Sequence, residues 1–352
     1  MLFRPRLPLT TAILALAALG CSDALEQDTT AGLLIAVVNR TSNSVSFVDA
    51  TRFSAGPVAD LAPPTGTPET VDARGTTVVV PLGDADAVRI LSSGTALPPG
   101  PAVIALPAGS GAAGVAIQSD SFAWVGNPAL NSVTRVNYRT GDTAAQVPVG
   151  VAPRAIAVAG TRVFVVNSNA PGGTPAGPSW LTSFDCCALT TKDSIPLTGA
   201  NARFAALGAD GFLYVILAGT PGAGDGKLSI VDPAGRREVA VVNGLGESPG
   251  PAVYHPSGRL LVASPTEGIL EVSTLTRAVT RGPGDGFKPA GDGIAALALD
   301  PRGRVYAVAP RACLSPGVVH ILSAPPGYRD ISVVTVGVCP AAAALAAAPG
   351  ID

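Results

Sequence analysis

Apolar residues in this chain come in runs of about four to eight, separated by clusters of Gly, Pro, Asn and Asp. The pattern is clearest from Asn131 to Asn167, NSVTRVNYRTGDTAAQVPVGVAPRAIAVAGTRVFVVN, where three short β-type runs closed by turn residues lead into a fourth that ends in Asn. Mixed β-branched and aromatic residues at this spacing suit pleated, partly buried strands. With Val165, the second position of the run ending in Asn167, as a marker, equivalent positions fall on Val37, Val79, Val125, Val215, Val262 and Ala307. Successive intervals along the seven markers are 42, 46, 40, 50, 47 and 45 residues. The residue before the marker is often bulky, as at Trp124, Phe164, Tyr214, Leu261 and Tyr306.

Further β-type runs repeat around each marker. After it come Ser44–Asp49, Ala87–Leu91, Ser132–Asn137, Trp180–Asp185, Lys227–Asp232, Ile269–Ser273 and Val318–Leu322. Outer runs such as Thr143–Val149, Lys192–Leu197, Glu238–Val242 and Ile331–Val336 follow. Runs before the marker, such as Phe204–Leu207 and Ala252–Tyr254, lead into tight turns, Ala209-Asp210-Gly211 and His255-Pro256-Ser257-Gly258. Four strands in a unit of about 40–45 residues is the signature of propeller blades. The expected fold is therefore all-β: one seven-bladed β-propeller spanning residues 33–350.

The motifs Phe164-Val165-Val166-Asn167, Asn43-Ser44-Val45-Ser46-Phe47-Val48-Asp49 and Val147-Pro148-Val149-Gly150-Val151-Ala152-Pro153 resemble the YVTN-repeat β-propellers, a family that includes YncE-like periplasmic proteins. The resemblance covers residues 33 to 350, is best in the third unit, and degenerates in the second and sixth. It implies the fold and leaves the activity open, because propellers host many functions.

The alignment makes a test of the last segment. Pro340–Gly350, PAAAALAAAPG, has the local propensity of a helix. Yet Val336-Gly337-Val338-Cys339-Pro340 aligns with Val149–Pro153, and Leu33–Asn39 starts without an inner strand before it. Residues 341–347 are therefore expected to close the ring as the inner strand of the first blade. Loops after marker strands and crossovers between blades should share one end of the propeller. That places Cys313 beside Cys339 and predicts a disulfide between them. Cys186 and Cys187 are adjacent, and at about 3.8 Å between Cα atoms a disulfide between them would be strained.

At the N-terminus, Arg4 and Arg6 precede the apolar stretch Leu7–Leu19, too short to span a bilayer and read as a secretory signal over residues 1–20. LALAALGCSD resembles a bacterial lipobox, which implies lipidation of Cys21, a flexible tether over 21–32, and a place in the cell envelope, at the outer membrane rather than the inner. Loss of Arg4 and Arg6 leaves 21 basic against 25 acidic residues, a balance of −4, with no basic stripe. Nucleic acid is not an expected partner. A monomer that touches the membrane only through its lipid is expected.

Candidate chemistry is sparse. Of the two histidines, His255 reads as a solvated turn residue and His320 as a packed strand residue, and neither has metal-ligand spacing to another donor. No catalytic constellation, metal site or cofactor is expected. Asp49, Asn137, Asp185 and Asp232 recur at the ends of third strands, where they should cap the following turn. The start of the inner strands holds Glu69, Arg154 and Arg203, which should crowd the mouth of the central channel and could hold an anion. Gly/Pro-rich loops 168–179, 218–226 and 282–293 should surround the same mouth. The leading expectation is a binding or scaffold module for a protein or a small anionic ligand. The alternative is a lactonase-type propeller using the channel.

Overall fold

The computed structural model describes residues 32–93, 100–189 and 192–348. It contains seven four-stranded antiparallel sheets. Six are simple meanders in chain order, with inner strands 72–74, 115–117, 153–159, 202–207, 252–255 and 296–299. These are blades 2 to 7 in chain order; the remaining sheet, blade 1, is assembled from both ends of the chain: Pro340–Ala347 pairs with Leu33–Asn39, followed by Ser44–Asp49 and Ser54–Asp60. Register across the seam is Leu34 to Ala346, Ile35 to Leu345, Val37 to Ala343 and Val38 to Ala342. The helix propensity of the alanine run is overridden because its backbone completes a sheet edge and Ala346 joins a core cluster.

The hydrophobic core is divided into seven clusters, one between each pair of neighbouring blades. Strand period explains this: alternate side chains point to opposite faces, so each second strand feeds two clusters. Val165 packs toward blade 3 with Trp124 and Val133, while Phe164 and Val166 pack toward blade 5 with Leu213 and Val215. Blade 1 divides likewise, Val37 toward blade 7 and Ala36 and Val38 toward blade 2.

Blade 2 corrects the marker series. Val79 faces blade 3, whereas Val78 and Val80 face blade 1. The position equivalent to Val165 is Val80, so the marker lies one residue further along than the repeat alignment places it. Three consecutive valines leave no polar residue to fix the phase, and a one-residue slip exchanges the two faces.

Turns at the far end carry the recurrent capping groups. Asp49 Oδ1 accepts the N–H groups of Thr51 and Arg52, Asn137 Oδ1 those of Arg139 and Thr140, Asp185 Oδ1 those of Cys187 and Ala188, and Asp232 Oδ1 those of Ala234 and Gly235. These groups are occupied in turns, not arranged as a ring of free carboxylates. His255 departs from the sequence expectation. It is 5 % exposed, with Nδ1 against Ser257 Oγ at 2.7 Å and Nε2 against the Gly303 carbonyl at 3.0 Å, because blade 7 folds over the turn. His320 is a packed strand residue that meets Asp292 Oδ2 through Nε2 at 2.9 Å.

At the other end, second strands of three blades finish in a buried Asn. Asn39 Nδ2 donates to Ser44 and Ser46, Asn127 Nδ2 to Ser132 and Thr134, and Asn167 Nδ2 to Thr182 and the Trp180 carbonyl. Each Asn amide N–H thus ties its strand to the next, while Oδ1 of Asn39 and of Asn127 has no hydrogen-bond partner among the described residues.

Candidate functional site

The crossovers and the loops after second strands converge on one end of the ring, as the repeat requires. Cys313, in a loop of blade 7, is bonded to Cys339 at the corner leading into the closing strand, with 4.3 Å between their Cα atoms. The Arg40 N–H donates to the Cys339 carbonyl at 2.9 Å, so the disulfide and the first blade's loop meet at the seam. Beside them opens a cavity of about 310 Å³ centred on the channel mouth.

Its lining brings together Glu69, Arg154 and Arg203, the three residues selected from the repeat, and adds Arg40. Arg40 was missed because it follows the second strand of blade 1 instead of preceding an inner strand. Its position directly after the terminal Asn39 would have placed it on this face. Arg40 Nη2 donates to Glu69 Oε1 at 2.9 Å, which accounts for the one carboxylate of the described lining.

Arg154 and Arg203 have no such partner. Among the described residues neither guanidinium has a hydrogen bond or ion pair. Arg203 lies 5.9 Å from the centroid of the Phe204 ring. Its side chain is open to water, yet protein walls surround it. That desolvation, and then the nearby charge of Arg154, hold its pKa below the ordinary guanidinium range, against an opposing pull from Glu69. We read it as a water-accessible group inside a concave site. A guanidinium stays charged in proteins, so the site keeps a surplus of positive potential.

Other polar groups near the channel are already engaged. Thr70 Oγ1 donates to the Ala113 carbonyl. On the inner strand of blade 2, Asp72 accepts the Ile117 N–H at 2.7 Å and the Ala73 N–H at 2.8 Å, joining blades 2 and 3. Burial nevertheless pushes its carboxyl up to about 6, more than the two backbone N–H donors lower it. A lactonase-type metal centre needs several oxygen ligands aimed at one point. Glu69, tied to Arg40, does not assemble one with its neighbours here.

Cys21 and the signal segment lie outside the described residues. Cys186 is buried and Cys187 exposed, both free thiols with Sγ atoms 3.3 Å apart. With Asp185 they form a small donor cluster on the far face.

No protein-family model and no curated protein matches the chain. Solved structures do. Kuenenia stuttgartiensis hydrazine synthase aligns with a TM-score of 0.63 at 15 % identity, covering 79 % of this chain and 89 % of that one. A functionally unknown protein from Desulfotomaculum acetoxidans aligns at 0.64 and 14 %, covering 90 % and 99 %. Apo AztD from Citrobacter koseri aligns at 0.55 and 14 %, covering 89 % and 97 %. At such identities the likeness is one of fold.

Proposed function

We propose that this propeller is a binding module whose recognition face is the loop-bearing end, with a small-anion site at the channel mouth. The observation that carries the reading is the pair Arg154 and Arg203: two charged guanidiniums in a concave site without an ion-pair partner among the described residues. Cations left unpaired in a walled recess are held ready for a ligand that supplies the missing charge. Arg40 and Glu69 form the neutral part of the rim and orient each other.

The protein is further read as a YVTN-like envelope lipoprotein, tethered through an acylated Cys21 with the ring outside the cytoplasm. The motifs at Asn39, Asn127 and Asn167 and the lipobox-like LALAALGC support that reading. Acyl-chain labelling of wild type that vanishes in Cys21→Ser is the expected result. Unlabelled wild type rejects the anchor. For the site itself, a melting screen against small carboxylates and inorganic phosphate is expected to raise the Tm of wild type and not that of Arg154→Ala/Arg203→Ala. Equal shifts in both proteins reject the site.

A further inference from the structure

The mouth is not uniform around its circumference. Its charges come from blades 1, 2, 4 and 5, through Arg40, Glu69, Arg154 and Arg203. The arc that runs from Arg203 round to Arg40, through blades 6 and 7 to the closing strand, is lined mostly by Pro251, Pro265, Ala295, Pro310, Pro340 and Ala341, with the Ser248 hydroxyl at its start. Four of these six are proline, which has no backbone N–H to donate. The Ala295 N–H is already given to the Val308 carbonyl at 2.8 Å. The four prolines and Ala295 thus offer an anion neither charge nor a free donor. They can offer apolar contact.

We infer that the ligand of this mouth is a small amphiphilic carboxylate, its head between Arg154 and Arg203 and its hydrocarbon body against the proline–alanine arc. The inference rests on the anion-site reading above and adds the class of ligand. A planar carboxylate can be bound bidentately by a guanidinium, and an apolar body gains by leaving water. Size sets the scale: at about 310 Å³ the cavity equals roughly ten water volumes, so a ligand of roughly that many non-hydrogen atoms fits. A bare inorganic anion would leave the apolar arc uncovered, and a neutral hydrocarbon would leave the guanidiniums unpaired.

The test is a calorimetric titration of the full chain with acetate, butyrate, hexanoate and, separately, inorganic phosphate. Affinity is expected to rise roughly fourfold per added methylene from acetate to hexanoate, with phosphate weaker than hexanoate. Ala295→Asp places a carboxylate in the apolar arc and is expected to abolish the chain-length gain. Ala295→Ser, a milder change, is expected to reduce it while the Tm stays that of wild type. Acetate and hexanoate binding equally, or phosphate binding tighter than hexanoate, overturns the amphiphile and leaves the anion site standing. Binding of none of them overturns both.

Discussion

The backbone N–H of Gly150 donates to Asn167 Oδ1 at 2.9 Å, tying the corner that leaves blade 3 to the end of the second strand of blade 4. A Cβ on Gly150 would stand 2.4 Å from Trp180 Cζ2 and 2.6 Å from Asn167 Cγ. The seam repeats the close approach, though not the hydrogen bond: a Cβ on Gly337 would stand 2.6 Å from Asn39 Cγ. The glycine of the Val-Gly-x-x-Pro corner is thus required by close approach to the neighbouring blade's Asn. Two motifs that look separate in sequence are halves of one contact.

Gly150→Ala should therefore destabilise the ring by about 1–3 kcal/mol, the range of overpacking in a filled site. Gly160→Ala, at a positive φ with open space around its Cβ, should cost only about 1 kcal/mol. Chemical-denaturation midpoints of the two variants check the difference, and equal losses would show that packing at Gly150 is not the cause.

The Cys313–Cys339 bond spans 26 residues of sequence. In the chain-entropy account, a loop of that length contributes about 3 kcal/mol. Cys313→Ser/Cys339→Ser should lower the denaturation midpoint accordingly and leave the far-ultraviolet spectrum of the folded state unchanged. An unchanged midpoint would mean that strand pairing alone holds the seam.

Asp72 predicts a pH dependence. Its folded pKa of about 6 lies above the unfolded carboxyl value of about 3.9. The native state therefore holds this proton more tightly. The contribution of Asp72 is fully present below the unfolded value and is lost as pH rises through about 6. Because the side chain keeps some contact with water, the effect should be on the order of 1 kcal/mol. The difference in unfolding free energy between wild type and Asp72→Asn, followed from pH 7.5 to 4, should move in favour of wild type as the pH falls. A flat difference would remove Asp72 from the account.

The adjacent thiols should react unequally. Burial, reinforced by the Cys187 sulfur, pushes the Cys186 thiol up to about 11, and the thiolate is the reactive form. Brief maleimide treatment of the native Cys21→Ser protein should label Cys187 and spare Cys186 until denaturant is added. Peptide mapping reads this directly, and rapid native labelling of Cys186 would contradict its burial.

Much of the architecture is legible in the sequence because its determinants are local and repeated. Strand period, turn glycines and capping Asp residues recur in most blades. The alanine run shows how repetition outranks propensity: residues 340–347 form a strand because the ring has one vacant edge. Legibility ends where a property depends on phase or on neighbours distant in sequence. Val78-Val79-Val80 hides which valine faces which blade. The turn at His255 is buried by blade 7, which no local pattern reports. Glu69, Arg154 and Arg203 could be placed at the mouth by equivalence, but the pairing of Glu69 with Arg40 follows from how the crossover into blade 2 lies against the loop of blade 1. The proline–alanine arc is dispersed over residues 251–341 and becomes a surface only after folding.

The central claim is that Arg154 and Arg203 form an anion site. Calorimetric titration of hexanoate and inorganic phosphate into wild type, Arg154→Ala/Arg203→Ala and the remote Arg139→Ala tests it most directly. Each charge-assisted hydrogen bond contributes about 1.5–3 kcal/mol, so the double variant should lose at least about tenfold in affinity. Arg139→Ala should bind as wild type does. A double variant that binds either anion as tightly as wild type would contradict the account.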